Sequence, residues 1–131
     1  MVGFNKLIYS DLTYKINGVL FAVHNHLGRY CNEKQYCDCI ENIFKEQNIV
    51  FEREKYIKPS FDGEKSIRNK VDFLVEDKII LEIKTKRFLT KEDYYQIKRY
   101  LQALRLKLGI LVNFRSKYLK PKRILNSQVS E

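Results

Sequence analysis

Asp72, Glu82 and Lys84 are the residues whose types and spacing could do chemistry. They fall in KVDFLVEDKIILEIK, residues 70–84, where two apolar-rich runs flank Glu76-Asp77-Lys78 and read as a β-hairpin. Side chains alternate across a strand, so Ile80, Glu82 and Lys84 share one face while Ile79, Leu81 and Ile83 share the other. Two charges therefore stand on a strand apolar enough for full burial. Burying an unpartnered charge is costly, and a bound cation is one way to offset that cost. Parity decides whether Asp72 shares the site. A three-residue loop pairs Val75 with Ile79 and sets Asp72 opposite Glu82, whereas a two-residue loop turns the carboxylates to opposite sides.

Hard oxygen ligands of this kind suit Mg2+ or Mn2+, and the backbone carbonyl of Ile83 could contribute. A lysine beside the ion can orient an attacking water or stabilise charge on a phosphate in the transition state. The chemistry is phosphodiester hydrolysis. A further acid, Glu33, opens a helix one turn before Tyr36 and Cys37; on its own, the helix dipole accounts for it.

The net charge of +9 is unevenly spread. Residues 1–83 hold 12 Lys/Arg against 13 Asp/Glu, while residues 84–123 hold 13 against 2. A one-sided basic segment in a folded domain points to a polyanion, most often nucleic acid. The phosphate-contact candidates are Lys86, Arg87, Lys91, Lys98, Arg99, Lys117, Lys120, Lys122 and Arg123. The longest apolar run, residues 19–23, is too short to span a bilayer, and the N-terminal residues lack the layout of a signal peptide. A cytoplasmic protein without membrane contact is expected. Cys31, Cys37 and Cys39 fit free thiols in a reducing compartment, and the i,i+2 spacings of the His and Cys pairs argue against a zinc site.

The elements that must position these residues follow from periodicity, in one domain spanning residues 1–131. Ser10 is placed to cap a first helix ending at Gly28, in which Gly18 would mark close packing. Asn32 caps a second helix with Tyr36, Ile40, Ile43 and Phe44 inward. A strand is expected within residues 49–58, a turn over 59–63, and a return through residues 65–70 into the hairpin. Thr90 caps a helix over 91–107 closed by Gly109, with Gln96 and Tyr100 on one stripe. Residues 109–114 form a strand parallel to the hairpin's second strand, residues 120–125 an edge strand or arm, and residues 126–131 a frayed tail. The order α-α-β-β-β-α-β, with a possible final β, is a mixed sheet flanked by helices of the α+β class.

Asp72, nine intervening residues and then Glu82-Ile83-Lys84 resembles the signature of the PD-(D/E)XK nuclease superfamily, with Val71 where that motif often has proline. More specifically, the chain resembles the GxxExxY family of that superfamily through residues 27–36, 70–84, 94–114 and the closing KRIL. Tyr30 stands where the glycine of that family's name is expected. The resemblance implies a restriction-endonuclease-like three-layer core, with Asp72 and Glu82 as metal ligands and Lys84 as the catalytic lysine. It also implies that Glu33 completes the metal site and that Gln96 and Tyr100 form a Gln-x-x-x-Tyr element approaching it. The expected function is metal-dependent cleavage of DNA; the alternative is a non-catalytic nucleic-acid-binding module that keeps the fold and acts with a partner. A two-fold homodimer would suit cleavage of both strands.

Overall fold

Helical periodicity in the first third of the chain becomes two packed helices, α1 (Ser10–Leu27) and α2 (Glu33–Glu46). The computed structural model describes residues 8–64 and 69–129. Ile16, Val19, Leu20 and Val23 of α1 are buried against Tyr36, Ile40 and Phe44 of α2. Ser10 is not the cap. The N-cap is Tyr9, in the left-handed region at φ 53, and Ser10 is the first helical residue. At the other end Gly28 takes φ 77 and ψ −155, a conformation outside the left-handed helical region that glycine adopts without a Cβ clash, and its N–H donates to His24 O. Asn32 caps α2 reciprocally with Gln35: Asn32 Oδ1 accepts from Gln35 N at 2.8 Å, and Gln35 Oε1 accepts from Asn32 N at 2.9 Å.

Beyond α2 lie β1 (Phe51–Tyr56), β2 (Lys70–Val75), β3 (Ile79–Lys84), α3 (Lys91–Leu104), β4 (Leu108–Asn113) and β5 (Lys122–Leu125). The described strands form one sheet in chain order, antiparallel at every junction except β3–β4, which is parallel and joined through α3. Helices α1 and α2 cover one face, against Phe73, Leu81, Ile83, Ile110 and Val112. On the other face α3 places Ile97, Tyr100 and Leu101 against Ile80, Leu111 and Ile124. These are the three layers and the mixed sheet expected from the sequence. No helix among the described residues is long and apolar enough to cross a membrane.

Two glycines have different work from that expected. Gly18 has open space where a Cβ would stand. Gly109 does not close α3. That helix ends at Leu104 with Arg105 in the left-handed region at φ 57, and Gly109 lies inside β4. A Cβ there would come within 2.7 Å of Ile97 Cγ2, so the missing side chain is what lets α3 settle onto the sheet. The return through residues 65–68 lies outside the described residues. Asn126, expected in the frayed tail, is tied down: its N–H donates to Lys107 O at 2.8 Å and its Nδ2 to Leu106 O at 3.1 Å. Gly109→Ala should cost about 1–3 kcal/mol in urea unfolding. Ile97→Ala in the same chain should recover part of that loss, a non-additivity that a double-mutant cycle would measure.

Candidate active site

The hairpin turn settles the parity. Glu76 and Asp77 both occupy the left-handed region, at φ 55 and 56, and Lys78 N donates to Val75 O at 2.9 Å. Lys78 then adds one residue, so that Val75 pairs with Ile79, Leu74 with Ile80 and Phe73 with Leu81. Continuing that register sets Asp72 across from Glu82. The backbone ladder stops short of them, however, and side chains replace it. Asp72 N donates to Glu82 Oε1 at 2.8 Å, and Ile83 N donates to Asp72 Oδ2 at 2.7 Å. Each carboxylate satisfies an amide of the opposite strand. The strands part, and the acids fill the gap.

Two carboxylates this close repel. Glu82 is 5 % exposed, and burial first, then the charge of Asp72, pushes its carboxyl up to about 8. Asp72 is likewise raised, by burial and then by Glu33, against the opposing pull of its bond from Ile83 N. Both acids hold protons more tightly in the fold than in the unfolded chain.

Lys84 follows on the same face. Its Nζ donates to Gln96 Oε1 on α3 at 3.1 Å and lies 3.8 Å from Glu82 Oε2. Gln96 thus meets the lysine, while Tyr100, one turn on, is packed in the core beneath α3. Burial, and then the charge of Glu82, raises its hydroxyl pKa. Asp93 was not anticipated from the sequence. It is 7 % exposed, lies 3.9 Å from Lys84 Nζ, accepts from Lys86 Nζ at 2.8 Å and accepts from Thr90 N at 2.7 Å. Burial works against its charge, but those hydrogen bonds outweigh it and hold the carboxyl below the usual range. The spacing Thr90-x-x-Asp93 was the available signal, a capping box whose acid also serves two lysines. Asn113 was missed as well. Buried at the end of β4, it accepts from Lys86 N at 3.1 Å and donates to Lys86 O at 2.7 Å, clasping the loop after Lys84.

A cavity of about 260 Å³ opens beside Asp72, lined also by Glu33, Cys37, Arg53, Glu54 and Lys70. Glu33 is exposed at its mouth, on the first turn of α2. Cys37 forms part of the wall; burial, then Asp72's charge, keeps its thiol protonated. Arg53 is held by Asp38 at 2.6 Å and Glu41 at 2.8 Å, and Lys70 by Glu54 at 2.6 Å. Of the basic candidates, Arg87, Lys91, Lys98, Arg99, Lys117, Lys120 and Lys122 are exposed. Lys86 is paired with Asp93. Arg123 turns inward, donating to Thr13 Oγ1 and Ile8 O at 2.8 Å.

Among the described residues no group of three or more His, Cys, Asp or Glu side chains is gathered as a metal cage. The donor chemistry fits a different arrangement. Asp72 and Glu82 each spend one oxygen on a backbone amide, which leaves Asp72 Oδ1 and Glu82 Oε2, and Mg2+ is held by one or two carboxylates while keeping several waters. A cation would also relieve the repulsion between the two acids.

A mixed sheet between helical layers, with an Asp, a Glu-x-Lys and a cleft at the hairpin's open end, defines a nuclease-like architecture. A family model described as the PD-(D/E)XK nuclease superfamily matches residues 10–124, and the chain belongs to that superfamily. Its fold is the restriction-endonuclease-like one. No curated protein and no solved structure gives a significant match.

Because Glu82's pKa is raised on folding, its contribution to stability falls as pH rises from the unfolded value toward about 8. Glu82→Gln keeps an oxygen for Asp72 N and removes the charge. In thermal melts without divalent metal it should be more stable than the parent at pH 8.5, by about 3–5 °C for about 1 kcal/mol, and the advantage should vanish near pH 4.5.

Proposed function

We propose that this chain is a Mg2+- or Mn2+-dependent nuclease that hydrolyses phosphodiester bonds in DNA, within the GxxExxY branch of the superfamily. The observation that carries the reading is the reciprocal clasp of half-buried Asp72 and buried Glu82, each carboxylate bonded to the other strand's amide, with Lys84 Nζ 3.8 Å from Glu82 Oε2. When bound, the ion would supply Lewis-acid polarisation of the phosphate and a more acidic water. Asp72 Oδ1 and Glu82 Oε2 would hold it, with the Ile83 carbonyl and Glu33 as further oxygen donors. Lys84, its Nζ steadied by Gln96 Oε1, would orient the attacking water and neutralise charge building on the phosphate oxygens. Asp93 offers Lys84 a second anionic neighbour, 3.9 Å from its Nζ against 3.8 Å for Glu82 Oε2. Exposed cations among residues 84–122 would draw the phosphate backbone toward this edge.

Glu82→Ala or Asp72→Ala should abolish Mn2+-dependent cleavage in a gel assay spanning single-stranded, duplex and branched DNA and RNA, and Lys84→Met should slow it about 100- to 1,000-fold. A parent chain that cuts none of these substrates would end the enzymatic claim. The Lys84 ammonium, already engaged by Gln96, Glu82 and Asp93, supports a second reading, a module that binds nucleic acid without cutting it. Calorimetric titration with Mn2+ separates the two: heat that disappears in Asp72→Ala supports the nuclease, and identical traces support the module. On either reading, Lys98→Ala and Lys120→Ala should each lower the salt slope of DNA binding by about 1. Arg123→Ala should leave that slope unchanged and reduce thermal stability instead.

A further inference from the structure

Three loops meet at the end of the sheet where β3 delivers Lys84. They are the α1–α2 connection, the segment after β3 and the segment after β4. Because β3 and β4 run parallel, their following loops emerge on one edge. Hydrogen bonds tie all three together. Arg29 Nε donates to Arg115 O at 2.9 Å and Arg115 Nε donates to Arg29 O at 3.1 Å, while Phe114 N donates to Lys84 O at 2.9 Å. Asn113 clasps Lys86.

Each loop carries the same dipeptide chemistry, a basic residue followed directly by an aromatic one: Arg29-Tyr30, Arg87-Phe88 and Lys117-Tyr118. In every case the ring stands in water, with Tyr30 75 %, Phe88 70 % and Tyr118 72 % exposed. In every case a cation lies over or beside it. The guanidinium carbons of Arg29 and Arg115 are 5.2 and 5.7 Å from the Tyr30 centroid, that of Arg87 is 5.5 Å from Phe88, and Lys117 Nζ is 5.5 Å from Tyr118. None of these rings is needed for the core. The α1–α2 loop is held from within by Tyr36, whose hydroxyl donates to Gly28 O at 2.6 Å and accepts from Cys31 N at 3.2 Å. Exposed rings on well-anchored loops, spaced around one edge of the candidate site, are presented rather than stored.

We infer that these rings form a stacking rim for unpaired bases, so that the nucleic acid taken by this site is single-stranded. The inference rests on the nucleic-acid reading above and narrows its substrate class. A duplex covers its base faces with neighbouring bases and offers a protein only phosphates and groove edges; an unpaired strand exposes π-faces that tyrosine and phenylalanine stack against, with arginine or lysine on the adjoining phosphate. A surface built for duplex alone has use for the cations here but none for the rings.

Fluorescence anisotropy in EDTA, where cleavage is silent, tests this with a labelled 20-nucleotide oligo-dT strand and a blunt duplex of the same length. Tight binding of the single strand is expected. Tyr30→Ala, Phe88→Ala and Tyr118→Ala should each weaken it about 5- to 100-fold and change duplex binding less than about 2-fold. Tyr30→Phe, which keeps the stacking face, should bind as the parent does. Equal affinity for the two probes, with the ring variants neutral, would overturn the stacking rim and leave the nuclease reading standing. Failure of the parent chain to bind either probe would also overturn the stacking rim, while the nuclease reading is decided separately by the Mn2+ cleavage assay.

Discussion

Two acids that repel one another are fastened together between β2 and β3, and the rest of the molecule accommodates that contact. Each carboxylate gives one oxygen to the other strand's amide, so neither can turn away without stranding a buried N–H. The repulsion cannot be relaxed by rotation, only by a proton or by a cation. Burial raises both carboxyl groups, and the neighbouring ammonium of Lys84 only partly compensates. A structure that keeps such a pair for stability alone would do better with two apolar residues. Burial and mutual repulsion make the pair a cost to the fold.

The surrounding elements hold that contact in place. Lys78 adds the residue that makes the strands meet in the right parity. Gly109 lets α3 lie close enough on β4 for Gln96 to reach Lys84. Asp93, anchored at the start of α3 by Thr90, holds Lys86 and stands near Lys84, so the helix and the strand end are joined by charge as well as by packing. Across the sheet, α2 brings Glu33 and Cys37 to the wall of the cleft. Helices on both faces thus converge on one strand end, which a two-layer fold could not do.

Chemistry and periodicity were both legible in the linear chain. The acids and lysine stood out because charge on a strand of Ile and Leu violates ordinary patterning. Helices α2 and α3 carried capping residues at Asn32 and Thr90 that end-mark them without tertiary help. Ser10 misled because a serine before an apolar stripe is a common cap, yet here Tyr9 takes the left-handed turn, and Ser10 already lies inside the helix. Gly109 misled for a similar reason. A glycine after a helix usually ends it, but this one is wanted four residues later for close approach, and Arg105 makes the turn instead.

Sequence alone determined the candidate acids and lysine, the parity condition that would unite them, and the class of fold, since these depend on local spacing and alternation. Tertiary structure decided what those residues do to one another. The strands' parting at Asp72, the turning of Arg123 into the protein, the enlistment of Asp93 and Asn113, and the gathering of three basic-aromatic loops at one edge all involve residues far apart in the chain. Their side chains meet only because the parallel β3–β4 pair and its crossover helix bring distant loops to the same end, and no local pattern encodes that meeting. The hairpin therefore announced its acids in advance, but the clasp that binds them belongs to the folded sheet.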